Sequence, residues 1–168
     1  MDRDVRAYVG LGSNLDDPQT QVCQAIDALG GVEASVVSRI SSLYRTAPVG
    51  YEEQPDFINA VCCLETRLAA IQLLKALRRL EDSTGRIRGS QRDGPRVLDL
   101  DLLLYGDACT SLPGLKIPHP RMHQRRFVLE PLYELDRDLV IPGWGPVREL
   151  LEGVREQRVG RISMPMPE

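Results

Sequence analysis

The chain has 168 residues, of which 42% are hydrophobic, and a formal net charge of -3. This length suits one domain spanning residues 1–168, with its core at about 5–142, and the mild acidity argues against a general nucleic-acid binder. No apolar run approaches the ~20 residues of a membrane span, and Met1-Asp2-Arg3-Asp4 leads into no signal-peptide core.

Arg6 to Gly12 reads as a first strand ending in glycines. Leu15 stands where a dinucleotide-binding G-x-G-x-x-G needs its third glycine, so Gly10 and Gly12 are read as a tight strand-to-helix turn. Ser13-Asn14-Leu15-Asp16-Asp17-Pro18 combines turn and helix-start chemistry. Val22, Ala25, Ile26 and Leu29 follow at helical spacing until Gly30-Gly31. Val32 to Tyr44 predicts a second strand, and Arg45 to Pro55, with Pro48, Gly50 and Pro55, a long loop. Phe57 to Leu68 predicts a third strand, in which Cys62 and Cys63 point opposite ways. Leu68 to Ser83 predicts an amphipathic helix with Ile71, Leu74, Leu77 and Leu80 inside. Gly85 to Pro95 is a second long loop, rich in Arg and Gly, and Val97 to Tyr105 a fourth strand, read as central.

The order β-α-β-β-α-β predicts an α+β fold with a ferredoxin-like core, an antiparallel sheet with both helices on one face. The proline-rich C-terminal extension is expected to wrap the core as turns and short helices, the clearest at Phe127 to Leu135. The four cysteines, Cys23, Cys62, Cys63 and Cys109, form no C-x-x-C pair and no zinc spacing, which predicts reduced thiols in a cytoplasmic protein.

The fourth strand carries the most informative pattern, Leu98-Asp99-Leu100-Asp101-Leu102-Leu103-Leu104. Alternation puts Asp99 and Asp101 on one face and Leu98, Leu100, Leu102 and Leu104 on the other. Two close carboxylates call for a positive partner, and a divalent cation completed by phosphate oxygens supplies one. Arg86, Arg88, Arg92 and Arg96 lead into this strand, and guanidinium groups bind phosphate oxygens bidentately. No G-x-x-x-x-G-K-[ST] is present, which excludes a P-loop; if the chain binds ATP, it does so by another device. His119, flanked by Pro118 and Pro120, is read as a phosphate or nucleotide contact and His123 as a surface residue. Phe57, beside Asn59, suits a planar ligand held by an aromatic face and a placed amide.

Six separated motifs together resemble the 6-hydroxymethyl-7,8-dihydropterin pyrophosphokinases of folate biosynthesis: Gly10-x-Gly12-Ser13-Asn14-Leu15, Tyr44-Arg45-Thr46, Gln54-Pro55-Asp56-Phe57-x-Asn59, Gly85-Arg86-x-Arg88, Arg92-x-Gly94-Pro95-Arg96-x-x-Asp99-x-Asp101 and Pro118-His119. The resemblance runs from Tyr8 to about Pro142. It implies a monomer that transfers the β,γ-diphosphate of ATP to the pterin hydroxymethyl group and releases AMP, using two Mg²⁺ ions. By position, Asp99 and Asp101 would hold the metal, and Asp99 would help deprotonate the hydroxyl. Phe57 and Phe127 would sandwich the pterin, with Thr46, Ala47, Val49 and Asn59 at its edges. Leu74, Arg78, Glu81, Leu102, His119 and Arg125 would surround the nucleotide. Arg86 and Arg96 would hold the phosphates as catalytic groups, with Arg88 and Arg92 on the same loop. The chain departs from the family pattern at Asp93 and Pro120, where an aromatic is common, and at Lys116, where a small hydroxyl residue is common. A ferredoxin-like RNA-binding module would need stacking aromatics on its sheet, which carries aspartates instead. A different two-carboxylate transferase would have no reason to carry Phe57 and Asn59.

Overall fold

The computed structural model describes residues 4–48, 53–84 and 97–162. Strand β1 (Val5–Ser13) leads into helix α1 (Pro18–Leu29), followed by β2 (Ser35–Ile40), β3 (Leu43–Thr46), β4 (Phe57–Thr66), α2 (Ala70–Ser83) and β5 (Asp99–Tyr105). The C-terminal extension adds a hairpin of β6 (Thr110–Leu112) and β7 (Leu115–Ile117), a 3₁₀ turn at Met122–Gln124, and α3 (Arg126–Leu135). It continues through β8 (Val140–Ile141), β9 (Gly145–Pro146), α4 (Val147–Glu152) and β10 (Val159–Ile162). The fold is α+β, as the element order predicts, with a main sheet ordered β10-β3-β4-β1-β5 and β2 also paired to β4.

The predicted second strand is two strands. β2 pairs with the second half of β4 and β3 with its first three residues, on the same side. The break falls at Ser41, whose N–H donates to Val61 O and whose hydroxyl accepts from Val61 N–H, both at 2.9 Å. A side chain thus replaces the ladder where the chain bends. Nor is the extension only turns and helices: β10 pairs antiparallel with β3 and lengthens the sheet. Its Arg161 reaches Glu134 of α3 at 3.1 Å, and the same carboxylate accepts from Tyr44 at 2.7 Å and from Ser42.

Strands β1, β4 and β5 each feed two cores. Ala7, Val9, Leu11, Cys62, Leu64, Leu98, Leu100 and Leu102 pack under α1 and α2. Tyr8, Val61, Cys63, Leu103 and Leu104 pack on the opposite face under α3 and α4. Cys62 and Cys63 therefore do point opposite ways, and none of the four cysteines is in a disulfide. Two details differ from the sequence pattern. The β1–β5 register slips between Tyr8 and Val9, so Leu103 is an extra residue and Leu104 joins the face of Tyr8 rather than that of Leu100. In α2 the buried stripe is Leu73, Ala76, Leu77 and Glu81, with Leu74 and Leu80 at its flank and Ile71 exposed.

The strand bearing the two aspartates is at the sheet edge, not its centre. Its outer edge is nevertheless covered. Leu100 N–H donates to a Glu81 carboxylate oxygen at 2.8 Å, and Leu100 O accepts from Arg78 at 3.0 Å. Leu103 O accepts from the backbone N–H of His119 at 2.9 Å. Side chains of α2 and the segment after β7 thus do the work of a neighbouring strand.

Candidate active site

Backbone register builds the floor of the site. Gly12 lies between Asn59 on β4 and Asp99 on β5, and Gly10 between Val61 and Asp101. Side chains of these six residues share one face of the pleat. The two glycines leave bare backbone between an amide and two carboxylates. The glycines are inside β1 rather than in the following turn, which is made by Asp16 and Asp17 at positive φ. Gly12 supplies clearance, since a Cβ there would lie 2.7 Å from Asn59 Oδ1, whereas one on Gly10 would meet the Leu103 side chain at 3.4 Å, an ordinary contact.

Above this floor is a cavity of about 420 Å³, within the usual size of a small-molecule site. Strand order sets Thr46, Phe57 and Asn59 on one side of the glycines and Asp99 and Asp101 on the other, and the same cavity is lined by Ala47, Arg78, His119, Arg121, Arg125 and Phe127. Asn59 Nδ2 donates to Thr46 Oγ1 at 2.7 Å in a buried contact, so the amide orientation is fixed. The guanidinium of Arg125 sits 5.5 Å from the ring centroid of Phe127. A smaller hollow of about 230 Å³ adjoins, with Leu74, Leu102, Leu115 and Lys116 at its far end. Arg78, Asp101, His119 and Pro120 border both.

The electrostatics are set by burial and by like charge. Burial and then the neighbouring Asp99 push the Asp101 carboxyl up to about 7, against the opposing pull of Arg125 and Arg78. Burial and the charge of Arg125 push His119 down to about 4, so its ring is neutral at pH 7. His119 Nδ1 accepts from Arg121 N–H at 3.2 Å, which leaves the ring proton on Nε2. His119 is thereby a neutral hydrogen-bond donor beside both hollows. Among the described residues no three His, Cys, Asp or Glu side chains converge as a closed metal cage. Asp99 and Asp101 are hard oxygen donors that would suit a cation only if its remaining ligands came from outside the protein.

The structure thus brings together Thr46, Ala47, Phe57, Asn59, Asp99, Asp101, Arg78, His119, Arg125 and Phe127 around one cavity, and Leu74 and Leu102 around its neighbour. Glu81 borders neither hollow; it is 1% exposed, and its carboxylate bonds Leu100 N–H and, at 2.9 Å, Arg78. Val49, Arg86, Arg88, Arg92, Asp93 and Arg96 lie outside the described residues. His123 is not a simple surface residue: its ring stacks on Trp144 at 3.5 Å and its Nδ1 is buried. Sequence reasoning missed the structural task of Asn14, which is 2% exposed and donates to Gln54 Oε1 and Pro55 O at 2.8 and 3.0 Å. The signal was available, since Asn14 and Gln54-Pro55 belong to two of the six motifs.

Fold and cleft together define an α+β enzyme with a two-carboxylate centre. The sequence pattern of the 7,8-dihydro-6-hydroxymethylpterin-pyrophosphokinase (HPPK) family matches residues 8–137. The chain is 39% identical over 159 residues to a Haemophilus influenzae 2-amino-4-hydroxy-6-hydroxymethyldihydropteridine pyrophosphokinase, covering 95% of this chain and 99% of the relative. It is 43% identical over 157 residues to the Pseudomonas aeruginosa protein of the same name, covering 94% and 96%. A Plasmodium falciparum HPPK-DHPS variant crystallised with pterin and p-hydroxybenzoate superimposes with a TM-score of 0.75 at 13% identity, covering 98% of this chain and 48% of that one. The chain belongs to the 7,8-dihydro-6-hydroxymethylpterin-pyrophosphokinase family. Members of this family are enzymes of folate biosynthesis that transfer pyrophosphate from ATP to hydroxymethyldihydropterin.

Proposed function

We propose that this transfer takes place in the cleft between Phe57 and His119, with the pterin on the glycine floor and the adenosine in the smaller hollow. One juxtaposition carries the reading: Asp99 and Asp101 share a single cavity with the aromatic and amide groups of Phe57, Phe127 and Asn59 and the basic groups of Arg78 and Arg125. The pterin ring lies between Phe57 and Phe127, and Asn59, Thr46, Ala47 and Val49 read its edges. Leu74, Arg78, Leu102, His119 and Arg125 border the nucleotide. The hydroxymethyl oxygen attacks the β-phosphorus of ATP, the bond from that phosphorus to the α-phosphate bridging oxygen breaks, and AMP leaves with that oxygen. The hydroxyl proton passes to Asp99. Arginine guanidinium groups take up charge on the group in transit, and Arg86 and Arg96, with Arg88 and Arg92, are the further candidates for that role.

The carboxylate pair fits Mg²⁺, which takes one or two protein carboxylates and completes its shell with phosphate oxygens and water. Two such ions, when bound, would offset the charge of Asp99, Asp101 and the triphosphate and polarise the β-phosphorus. The reading includes a monomer in the cytoplasm, since one chain lines the cavity and none of its four cysteines is in a disulfide. The test is incubation with ATP, Mg²⁺ and 6-hydroxymethyl-7,8-dihydropterin followed by phosphorus NMR. AMP and a pterin diphosphate are expected; ADP as the nucleotide product would show ordinary kinase chemistry and defeat the reading.

A further inference from the structure

The cavity contains a cation that the roles above leave unused. Arg121 is half-buried and lines the larger cavity together with Asp99, Asp101, His119 and Arg125. Its backbone is held at both ends, since its N–H donates to His119 Nδ1 at 3.2 Å and its carbonyl accepts from Gln124 N–H at 3.0 Å. Its guanidinium has no ion-pair partner among the described residues. The other two cleft arginines differ. Arg78 is engaged by Glu81 and Leu100 O, and Arg125 sits over Phe127. An anchored arginine that lines a cavity and pairs with no carboxylate among the described residues is suited to an incoming anion.

The position selects which anion. Arg121 borders the larger cavity but not the smaller hollow of Leu74, Leu102 and Leu115. With adenosine in the smaller hollow and the pterin between the phenylalanines, the part of the substrates that remains beside Arg121 is the diphosphoryl group itself. We propose that Arg121 is a phosphate-contacting residue that binds the β,γ-diphosphoryl group in ATP and in the pterin diphosphate product. This inference rests on the function proposed above.

AMP lacks the phosphates in question, which gives the decisive comparison. Affinities of Arg121→Gln for ATP, AMP, the pterin and the pterin diphosphate are measured by calorimetry in the presence of Mg²⁺. A lost charge-assisted bidentate contact weakens binding by about 10- to 100-fold. That loss is expected for ATP and the pterin diphosphate, while AMP and the pterin stay within about twofold of wild type, and Arg121→Lys recovers part of it. ATP and AMP affinities that fall together, or an ATP-to-AMP affinity ratio unchanged in both variants, would overturn the assignment. Failure of the wild-type enzyme to form AMP from ATP and the pterin would instead overturn the proposed function, so the two failures are separable.

Discussion

The two faces of the sheet are made by the same strands and behave as different materials. Toward α1 and α2, β1 sends Ala7, Val9 and Leu11, β4 sends Cys62 and Leu64, and β5 sends Leu100 and Leu102, with Leu98 just before it, an apolar set without a charged member. Toward α3, the same strands send Tyr8, Gly10 and Gly12, then Cys63, Val61 and Asn59, then Leu103, Asp101 and Asp99. One end of this second face is sealed by Leu129 and Leu132, and the other end opens as the cleft. The period of two in a strand lets one segment be core and cleft wall at once, so the stiffness of the apolar face is delivered directly to the side chains of the cleft.

The largest expected break in that comparison is on the polar face. Asp101→Ala should lower kcat by ~10³-fold, the scale for loss of a group that stabilises transition-state charge. The same variant should fold and melt no lower than wild type, because the removed carboxyl is held at about 7 by burial and by Asp99. Near-normal turnover would remove Asp101 from the chemistry. The same group gives a pH dependence whose sign is fixed. The folded protein binds this proton more tightly than the unfolded chain, whose carboxyl titrates at 3.8, so stability without metal should fall as pH rises from about 4 to about 7. Asp101→Asn should flatten that slope in urea melts at successive pH values.

On the apolar face the currency changes. Leu64 is fully buried on β4, in the half of the strand away from Asn59. Leu64→Ala should cost ~2–5 kcal/mol of stability through transfer and cavity terms. Its kcat, measured well below the melting temperature, should stay within about twofold of wild type if the faces are separable. A kcat loss as large as that of Asp101→Ala would show that they are not.

Gly12 tests the bare floor between the two polar columns. A Cβ at 2.7 Å from Asn59 Oδ1 must displace that amide and its 2.7 Å bond to Thr46. Gly12→Ala should therefore raise KM for the pterin by ~10-fold, with a stability loss of ~1 kcal/mol, because one hydrogen bond is broken and little apolar packing is lost. A raised KM for ATP with an unchanged pterin KM would place the pterin elsewhere.

Much of this was legible in the sequence because alternation and element order are local properties. The aspartate pair, the opposed Cys62 and Cys63, and the helix near Phe127 all follow from periodicity. What was not legible depends on partners distant in the chain. Leu104 changes face only because β5 slips against β1 at Leu103. The edge position of β5 is invisible in its leucine run, since Glu81, Arg78 and His119 cover the edge that another strand would have covered. Gly10 and Gly12 look like turn glycines until Asn59 and Asp99 are seen on either side. The strand at Val159–Ile162 carries no motif and is fixed by pairing with β3 and by the Arg161–Glu134 contact.

Glu81→Gln gives the smallest expected effect, and Glu81 the finest test, because it belongs to α2 on the apolar side yet bonds the strand that bears the aspartates. Its resemblance-based role is a nucleotide contact, whereas its carboxylate bonds Leu100 N–H between Asp99 and Asp101 and pairs with Arg78. Glu81→Gln keeps an acceptor for Leu100 N–H and loses only the charge opposite Arg78, so a stability loss of ≲1 kcal/mol is expected. Glu81→Ala leaves a buried N–H without its acceptor and should cost ~1–3 kcal/mol. The measured pair is the melting temperature and the KM for ATP of each variant. A positioning role makes stability fall in the order wild type, Gln, Ala, with kcat following it as the aspartate strand loosens. A direct nucleotide contact would instead raise KM for ATP in both variants and leave the melting temperatures level, and would return Glu81 to the binding site.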